Sequence, residues 1–388
     1  MKVLFVAPWL PSKVRPRSLE ILKTLCSSHD VWFVGLENPG DRYEELHQVH
    51  LARTTIVHAR PLRNAVRALA AIPSRRSLQE AYVRDPRVRK QIRLAIRHWN
   101  PDVIHMNVVR SCAYLRDIDD GTRPIVFDLD ELRSDFYTKS RHGQSTPIRK
   151  LLATVEAPRM RTSEQRALTA SRAVLFSSPV DAAASGSKAT LVRSPVAPSA
   201  LERKPTPLTM LFVGRMRYSA NVEGIRWFCK EVLPPIALRH PGVRLDIVGE
   251  SPSKAVRDLA SDNVTVWGWV DEIDRFYQRA AVCITPVRLS TGVQLKLVQA
   301  LAAAVPVVTF EDCAYRAGVT RAEALTAETA SEWVQAIGSI FTDPGLAQSL
   351  SASGQRWADE NYSPGVIARS LNRVYDDIER VLPHTERR

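Results

Sequence analysis

Short apolar runs, each followed by a stretch with apolar residues at helical spacing, recur along the chain. KVLFVAP (2–8) is a continuous apolar run, the pattern of a parallel strand buried on both faces. RSLEILKTLCSS (17–28) predicts a helix and DVWFVGL (30–36) a second strand, which together make a βαβ unit. Residues 41–100 are basic and read as mostly helical, including DPRVRKQIRLAIRHW with Asp85 at its N-cap. PDVIHMN (101–107), RPIVFDLD (123–130), AVLFSS (173–178) and ATLVRSP (189–195) predict further strands, with a long helical section over 146–171. VAPSALERKPTPLT (196–209) carries three prolines among polar residues and reads as a linker.

The second half repeats the grammar. MLFVGRM (210–216), VRLDIVGES (243–251), NVTVWGWV (263–270), AVCITPV (281–287) and VPVVTF (305–310) predict strands. NVEGIRWFCKEVLPPIALRH (221–240), GVQLKLVQALAAA (292–304) and SPGVIARSLNRVYDDIERVL (363–382) predict helices. The expected fold class is α/β: two Rossmann-like domains, 1–195 and 210–362, facing each other across a cleft lined by strand ends. The segment 363–388 is expected to return as a helix toward the first domain. A length of 388 residues suits two such domains.

Composition narrows the classes. No apolar stretch approaches the ~18–20 residues that span a bilayer, and prolines at 8 and 11 break the first apolar run, which reads as a strand and not as a signal peptide. Five scattered cysteines without a CxxC pair exclude a disulfide framework and a cysteine zinc site, and they fit a cytoplasmic protein. His47 and His50 stand at helical spacing without further ligands, so no metal is expected. The net charge of +13 lies wholly in residues 1–200, with 32 Lys+Arg against 19 Asp+Glu, whereas residues 201–388 hold 22 of each. A basic half suggests an anionic partner; an arginine-rich bacterial genome gives the same bias without one.

GxGxxG and GxxxxGK[ST] are both absent, which argues against NAD-type and P-loop chemistry. Anion-binding parts are nevertheless present. Gly214-Arg215 ends a strand, where backbone N–H groups and a guanidinium can meet a phosphate. The turn LSTG opens a helix near Gly292, and Lys296 lies one turn in. Three such elements converging from separate strand ends suggest a diphosphate site.

The strings LFVGRMRYSANVEGIRWFCKEVLPPI, LDIVGES and VTVWGWVDEIDRFYQRAAVCITPVRLSTGVQLKLVQALAAAVPVV resemble the donor domain of GT-B glycosyltransferases, most closely the retaining family 4 (GT4). The resemblance covers roughly residues 208–310, with looser matches at DVIHMN, SPVAP and the closing helices. It implies that Arg215 and Lys296 contact the donor phosphates, and that Gly214, Gly249 and Gly292 open the site. It also implies that Gly268, Trp269 and Val270 border the base. Thr291 and Gln299 stand where the family commonly has two glutamates, for the sugar and the ribose, and Asn221 replaces a common lysine. Asp130 aligns with a frequent histidine. Acceptors of the family approach the first strand-to-helix loop, here Trp9, Pro11, Ser12 and Arg17. FDLD puts Asp128 and Asp130 on one side of the pleat, beside His105, which reads either as a ligand contact or as a strand histidine.

The expectation is a cytoplasmic glycosyltransferase that needs no cofactor and uses a nucleotide-sugar as co-substrate. It would move the sugar with retention to a small-molecule hydroxyl or thiol, as in secondary metabolism. In this reading Asp130, Arg215 and Lys296 carry the chemistry. Rival readings are a sugar-nucleotide epimerase or phosphorylase, and an inactive binding module. Nucleic-acid binding has no motif behind it. Weak docking on anionic membrane, with a lipid-linked acceptor, is less favoured because no stretch joins a strong apolar face to the arginines.

Overall fold

The computed structural model describes residues 1–13, 15–41, 44–118, 121–142, 147–199, 201–216, 218–288 and 291–382. The chain forms two compact units, Met1–Pro195 with Ile367–Arg388, and Val196–Val366.

The first unit is built on seven parallel strands: β1 (Lys2–Ala7), β2 (Asp30–Glu37), β3 (Arg53–His58), β4 (Val103–Asn107), β5 (Ile125–Asp130), β6 (Ala173–Phe176) and β7 (Ala189–Leu191). Their order is β3-β2-β1-β4-β5-β6-β7, so the winding reverses between β1 and β4. Leu4, Val6, Ile104, Met106 and Phe127 are buried against helices on one face. Val3, Phe5, Phe33, Val103 and Val126 are buried on the other, which explains the unbroken apolar runs. That second face is closed by the helix Pro364–Glu379, which lays Ile367, Leu371, Val374, Tyr375 and Ile378 on it in one helical stripe.

Two corrections arise here. The 41–100 stretch is mostly helical, as expected, but RTTIVH within it forms β3 at the sheet edge, where exposed Arg53 and Thr54 break the apolar run that marks inner strands. The arginines of this region also do have an apolar face beside them. The helix Pro61–Ala70 buries only Asn64 and turns Leu62, Val66 and Leu69 outward, with Ile72 following. Ile148, Leu151, Leu152 and Val155 are likewise exposed on the first turns of the helix Pro147–Ala170.

The second unit is also doubly wound. Its strands are β8 (Thr209–Val213), β9 (Arg244–Val248), β10 (Val264–Gly268), β11 (Val282–Thr285), β12 (Val307–Thr309) and β13 (Leu325–Thr326). They are parallel in the order β10-β9-β8-β11-β12-β13, and the winding reverses between β8 and β11. The expected 221–240 helix becomes Ser219–Trp227, a π turn Phe228–Val232, and Leu233–Arg239. The wide turn precedes Pro234 and Pro235, neither of which can supply an N–H to an ordinary helix.

The 196–209 stretch is not a free tether. Val196 N donates to Tyr362 O (2.8 Å), Lys204 N to Gln278 O (3.0 Å) and Thr206 N to Arg279 O (2.8 Å). The Arg203 guanidinium donates to the carbonyls of Ala280 (2.6 Å) and Ala304, so the prolines hold an extended strap against the second unit.

Candidate functional site

In doubly wound sheets ligands bind beyond the carboxyl ends of the strands, where the winding reverses. In the second unit three glycines stand at that edge. Gly214, Gly249 and Gly268 terminate the neighbouring β8, β9 and β10, and backbone bonds lace them together: Gly214 N to Val248 O (3.0 Å) and Gly249 N to Gly268 O (2.8 Å). Gly249 must be glycine. Its φ is +153°, and a Cβ there would fall 1.7 Å from Gly214 O. Gly268, at φ +73°, turns the chain toward Trp269, whose indole is 63 % exposed, and Val270.

Lys296 reaches this edge from the helix Leu295–Ala302. Its Nζ donates to Asn221 Oδ1 (2.7 Å) and Gln294 Oε1 (3.1 Å), and Asn221 Nδ2 donates to Arg215 O (2.9 Å). The lysine stem crosses directly over Gly214, where a Cβ would stand 3.3 Å from Lys296 Cε and 2.8 Å from Asn221 Nδ2. Asn221 therefore tethers an ammonium that arrives from another element. Desolvation pulls the Lys296 amine down to about 8.

Arg215 pairs with Glu250 (Nε to Oε1, 2.9 Å). Both side chains are partly exposed, so the pair is worth little. The helix begins at Leu295 and not at Gly292, because Gly292 lies at φ +60° and Gln294 occupies the cap. Thr291 is buried, and Gln299 is exposed on the same helix face as Lys296. Leu289 and Ser290 of the LSTG turn lie outside the described residues.

The corresponding edge of the first unit holds a different network. Arg17 is buried and grips Asp128 through Nε (2.9 Å) and Nη2 (2.7 Å), donates to Val192 O (2.6 Å), and stands 3.4 Å from Asp130. Asn107 Nδ2 donates to Asp128 Oδ2 (3.2 Å), Ser18 Oγ to Asn107 Oδ1 (2.9 Å), and Trp9 Nε1 to Ser18 Oγ (3.3 Å). Asp130 sits at a register shift with φ +67°, a conformation costly for any residue with a Cβ. Its carboxyl is raised above the ordinary aspartate value by desolvation and by the neighbouring Asp128 charge, against the pull of Arg17.

Four residues expected to meet an acceptor are buried in structural contacts instead. His105 is fully buried, stacks on Phe5 (4.5 Å) and bonds the Tyr375 hydroxyl (2.7 Å), so burial drops its pKa to about 3. Arg17 and Asp128 are consumed by each other inside the unit. Ser12 is buried too, its carbonyl accepting from Arg15 N (2.8 Å). Trp9 and Asp130 do reach the surface.

Arg110 was not foreseen. It follows β4, lies 5.4 Å from the centre of the Trp9 ring, and donates from Nε to Gln79 Oε1 (2.6 Å). Arg15 lies on the same ring at 4.9 Å. Burial, then the charges of Arg133 and Arg15, pull Arg110 down to about 10. Among the described residues no carboxylate pairs with it within 4 Å. Only the fold brings Gln79, Trp9 and Arg110 together, so no sequence motif announces the cluster. Among the described residues no group of three or more His, Cys, Asp or Glu could hold a metal.

The family profile of glycosyl transferases group 1 matches residues 207–343. No curated protein sequence matches the chain. Sucrose-phosphate synthase from Thermosynechococcus elongatus superposes with a TM-score of 0.70 at 16% identity, covering 98% of this chain and 100% of that one. HepE of Anabaena, determined with UDP, gives 0.70 at 12% identity, covering 97% and 100%. A glycosyltransferase from Rickettsia africae gives 0.65 at 13%, covering 98% and 99%. The second unit thus matches the model of glycosyl transferases group 1, and the chain as a whole has the two-domain GT-B fold of these structures.

Proposed function

We propose that the chain is an enzyme that binds an NDP-sugar at the glycine-bearing strand ends of the second unit and transfers the sugar with retention. The acceptor would be a hydroxyl carried on an anionic molecule. The observation behind the donor reading is the pair Lys296 and Arg215 at the strand ends, where Gly214 lets the Lys296 stem and Asn221 approach the backbone closely. The exposed Trp269 ring offers a stacking face to the base, and Gln299 offers its amide to the ribose diol.

In the proposed step the bond from the anomeric carbon to the diphosphate oxygen breaks, and its electron pair stays on the phosphate. The acceptor oxygen bonds the same carbon from the same face, and its proton passes to the departing diphosphate. Lys296 and Arg215 stabilise the charge that develops there. Asp130, on the first unit, would orient the acceptor hydroxyl, and Arg110 would hold the acceptor's anionic group through its free guanidinium edge. A phosphate or a carboxylate meets that requirement, whether on a soluble metabolite or on a lipid carrier.

The test is calorimetry with UDP, GDP and dTDP, followed by mass spectrometry of products from the matching sugar nucleotides. Arg215→Ala and Lys296→Ala should each lose about 1.5–3 kcal/mol of nucleotide binding with the fold intact. Wild-type affinity in both variants would refute the site. Binding without any product from any donor would favour the inactive module.

A further inference from the structure

We infer that the first unit carries a docking surface for anionic lipid bilayers, formed by the outer face of the Pro61–Ala70 helix and the first turns of the Pro147–Ala170 helix. Leu62 is 84% exposed and Ile148 79%. With Val66, Leu69, Leu151 and Leu152 they make two apolar stripes that the monomer leaves uncovered. Isolated exposed apolar residues are ordinary, but two adjoining stripes of large ones are not.

The stripes belong to one ledge. Arg159 Nη2 donates to Ile72 O (2.5 Å), and Glu156 accepts from Ser77 Oγ (3.0 Å) and Leu78 N (3.1 Å), which ties the long helix to the chain leaving the short one. Farther along the long helix, Glu164 accepts from Ser134 N (2.8 Å) and Oγ (2.6 Å), just past the end of β5.

Charge decides the occupant. Residues 59–76 contain five arginines and no acidic residue, and residues 147–155 add Arg149 and Lys150, again with no acid. Arg60, Arg63 and Arg75 are exposed and have no ion-pair partner among the described residues. A second copy of the chain would press this arginine set against itself. A peptide ligand seeks a groove, whereas an exposed amphipathic helix face with a basic rim suits the headgroup and upper acyl region of an anionic membrane.

The experiment is flotation of the full chain with phosphatidylglycerol or phosphatidylcholine vesicles at about 150 mM salt. Wild type should float with phosphatidylglycerol and remain unbound with phosphatidylcholine. Leu62→Ser/Val66→Ser/Leu69→Ser should weaken binding at least about tenfold. Arg60→Gln/Arg63→Gln/Arg75→Gln should weaken it about a hundredfold. All six residues are exposed, and unchanged UDP affinity and thermal midpoint would show the variants folded. Absence of wild-type flotation, or flotation that survives both triple variants, overturns the proposal. So does a concentration-dependent dimer that the serine variant dissolves while vesicles stay unbound, since the face would then be an interface between copies.

Discussion

Lys296 is held by two neutral amide oxygens, so within hydrogen-bonding reach no negative group offsets the desolvation of its ammonium. With its pKa at about 8, the free protein loses this charge just above neutrality. A bound diphosphate would restore it, and nucleotide binding should then weaken as pH rises. Between pH 7 and 9 the protonated fraction falls about tenfold, and UDP affinity should fall with it. Calorimetry at both pH values checks this; Lys296→Gln should be weaker and flat, and a flat wild type would separate the amine from the ligand. The same depression has a stability consequence. Between about 8 and the unfolded value of 10.5 the unfolded chain binds more protons, so this residue's contribution to stability rises with pH through that window. The places of Gly214, Gly249 and Gly268 at strand ends and of Lys296 in the first turn of a helix were legible because each is a local signal. The buried contacts of Arg17, His105 and Asp128 were not legible, because their partners, Asp128, Tyr375 and Arg17, are distant in sequence and invisible to any local pattern.

At the scale of elements, the Arg17–Asp128 pair joins the helix Pro16–Ser28 to β5, and Arg17 also binds the chain just after β7. Removing one partner leaves the other charge buried and unmatched. Asp128→Asn should therefore destabilise the first unit by about 3–5 kcal/mol. Urea unfolding followed by the fluorescence of Trp9, Trp32 and Trp99 would measure it, and a loss below about 1 kcal/mol would show that the pair is not structural. Nucleotide binding on the second unit should be untouched. The inner parallel strands were readable as continuous apolar runs, since both of their faces are buried. β3 was not, because an edge strand exposes polar positions. The helix after β11 was expected three residues early, because apolar spacing does not register the positive φ of Gly292.

On the whole molecule, the excess positive charge proves to have a local address. Its acid-free segments border the apolar ledge, and Arg110 stands on Trp9 at the carboxyl edge of the sheet. Composition located the charge in one half, but only folding separates solvated arginines from those with an apolar or aromatic neighbour. The strap at 196–206 shows the same limit: its prolines mark an irregular segment, and the carbonyls that hold it lie far away in sequence.

Because Ile367–Arg388 belongs with Met1–Pro195, the second unit interrupts the first, and this sets an order of assembly. On the ribosome the Val196–Val366 segment is contiguous and can close its sheet while the earlier seven-stranded sheet still lacks the residues that cover its second face. Ending the chain at residue 366 would strip that face of Ile367, Leu371, Val374, Tyr375 and Ile378 and leave His105 Nδ1 without its hydroxyl partner. Such a chain should retain a nucleotide-binding second half beside a first half that protease digests rapidly. Limited proteolysis with and without UDP would display that asymmetry; equal resistance of both halves would show that the last helix is dispensable. The nascent chain would thus acquire the proposed donor site before it completes the unit proposed to receive the acceptor.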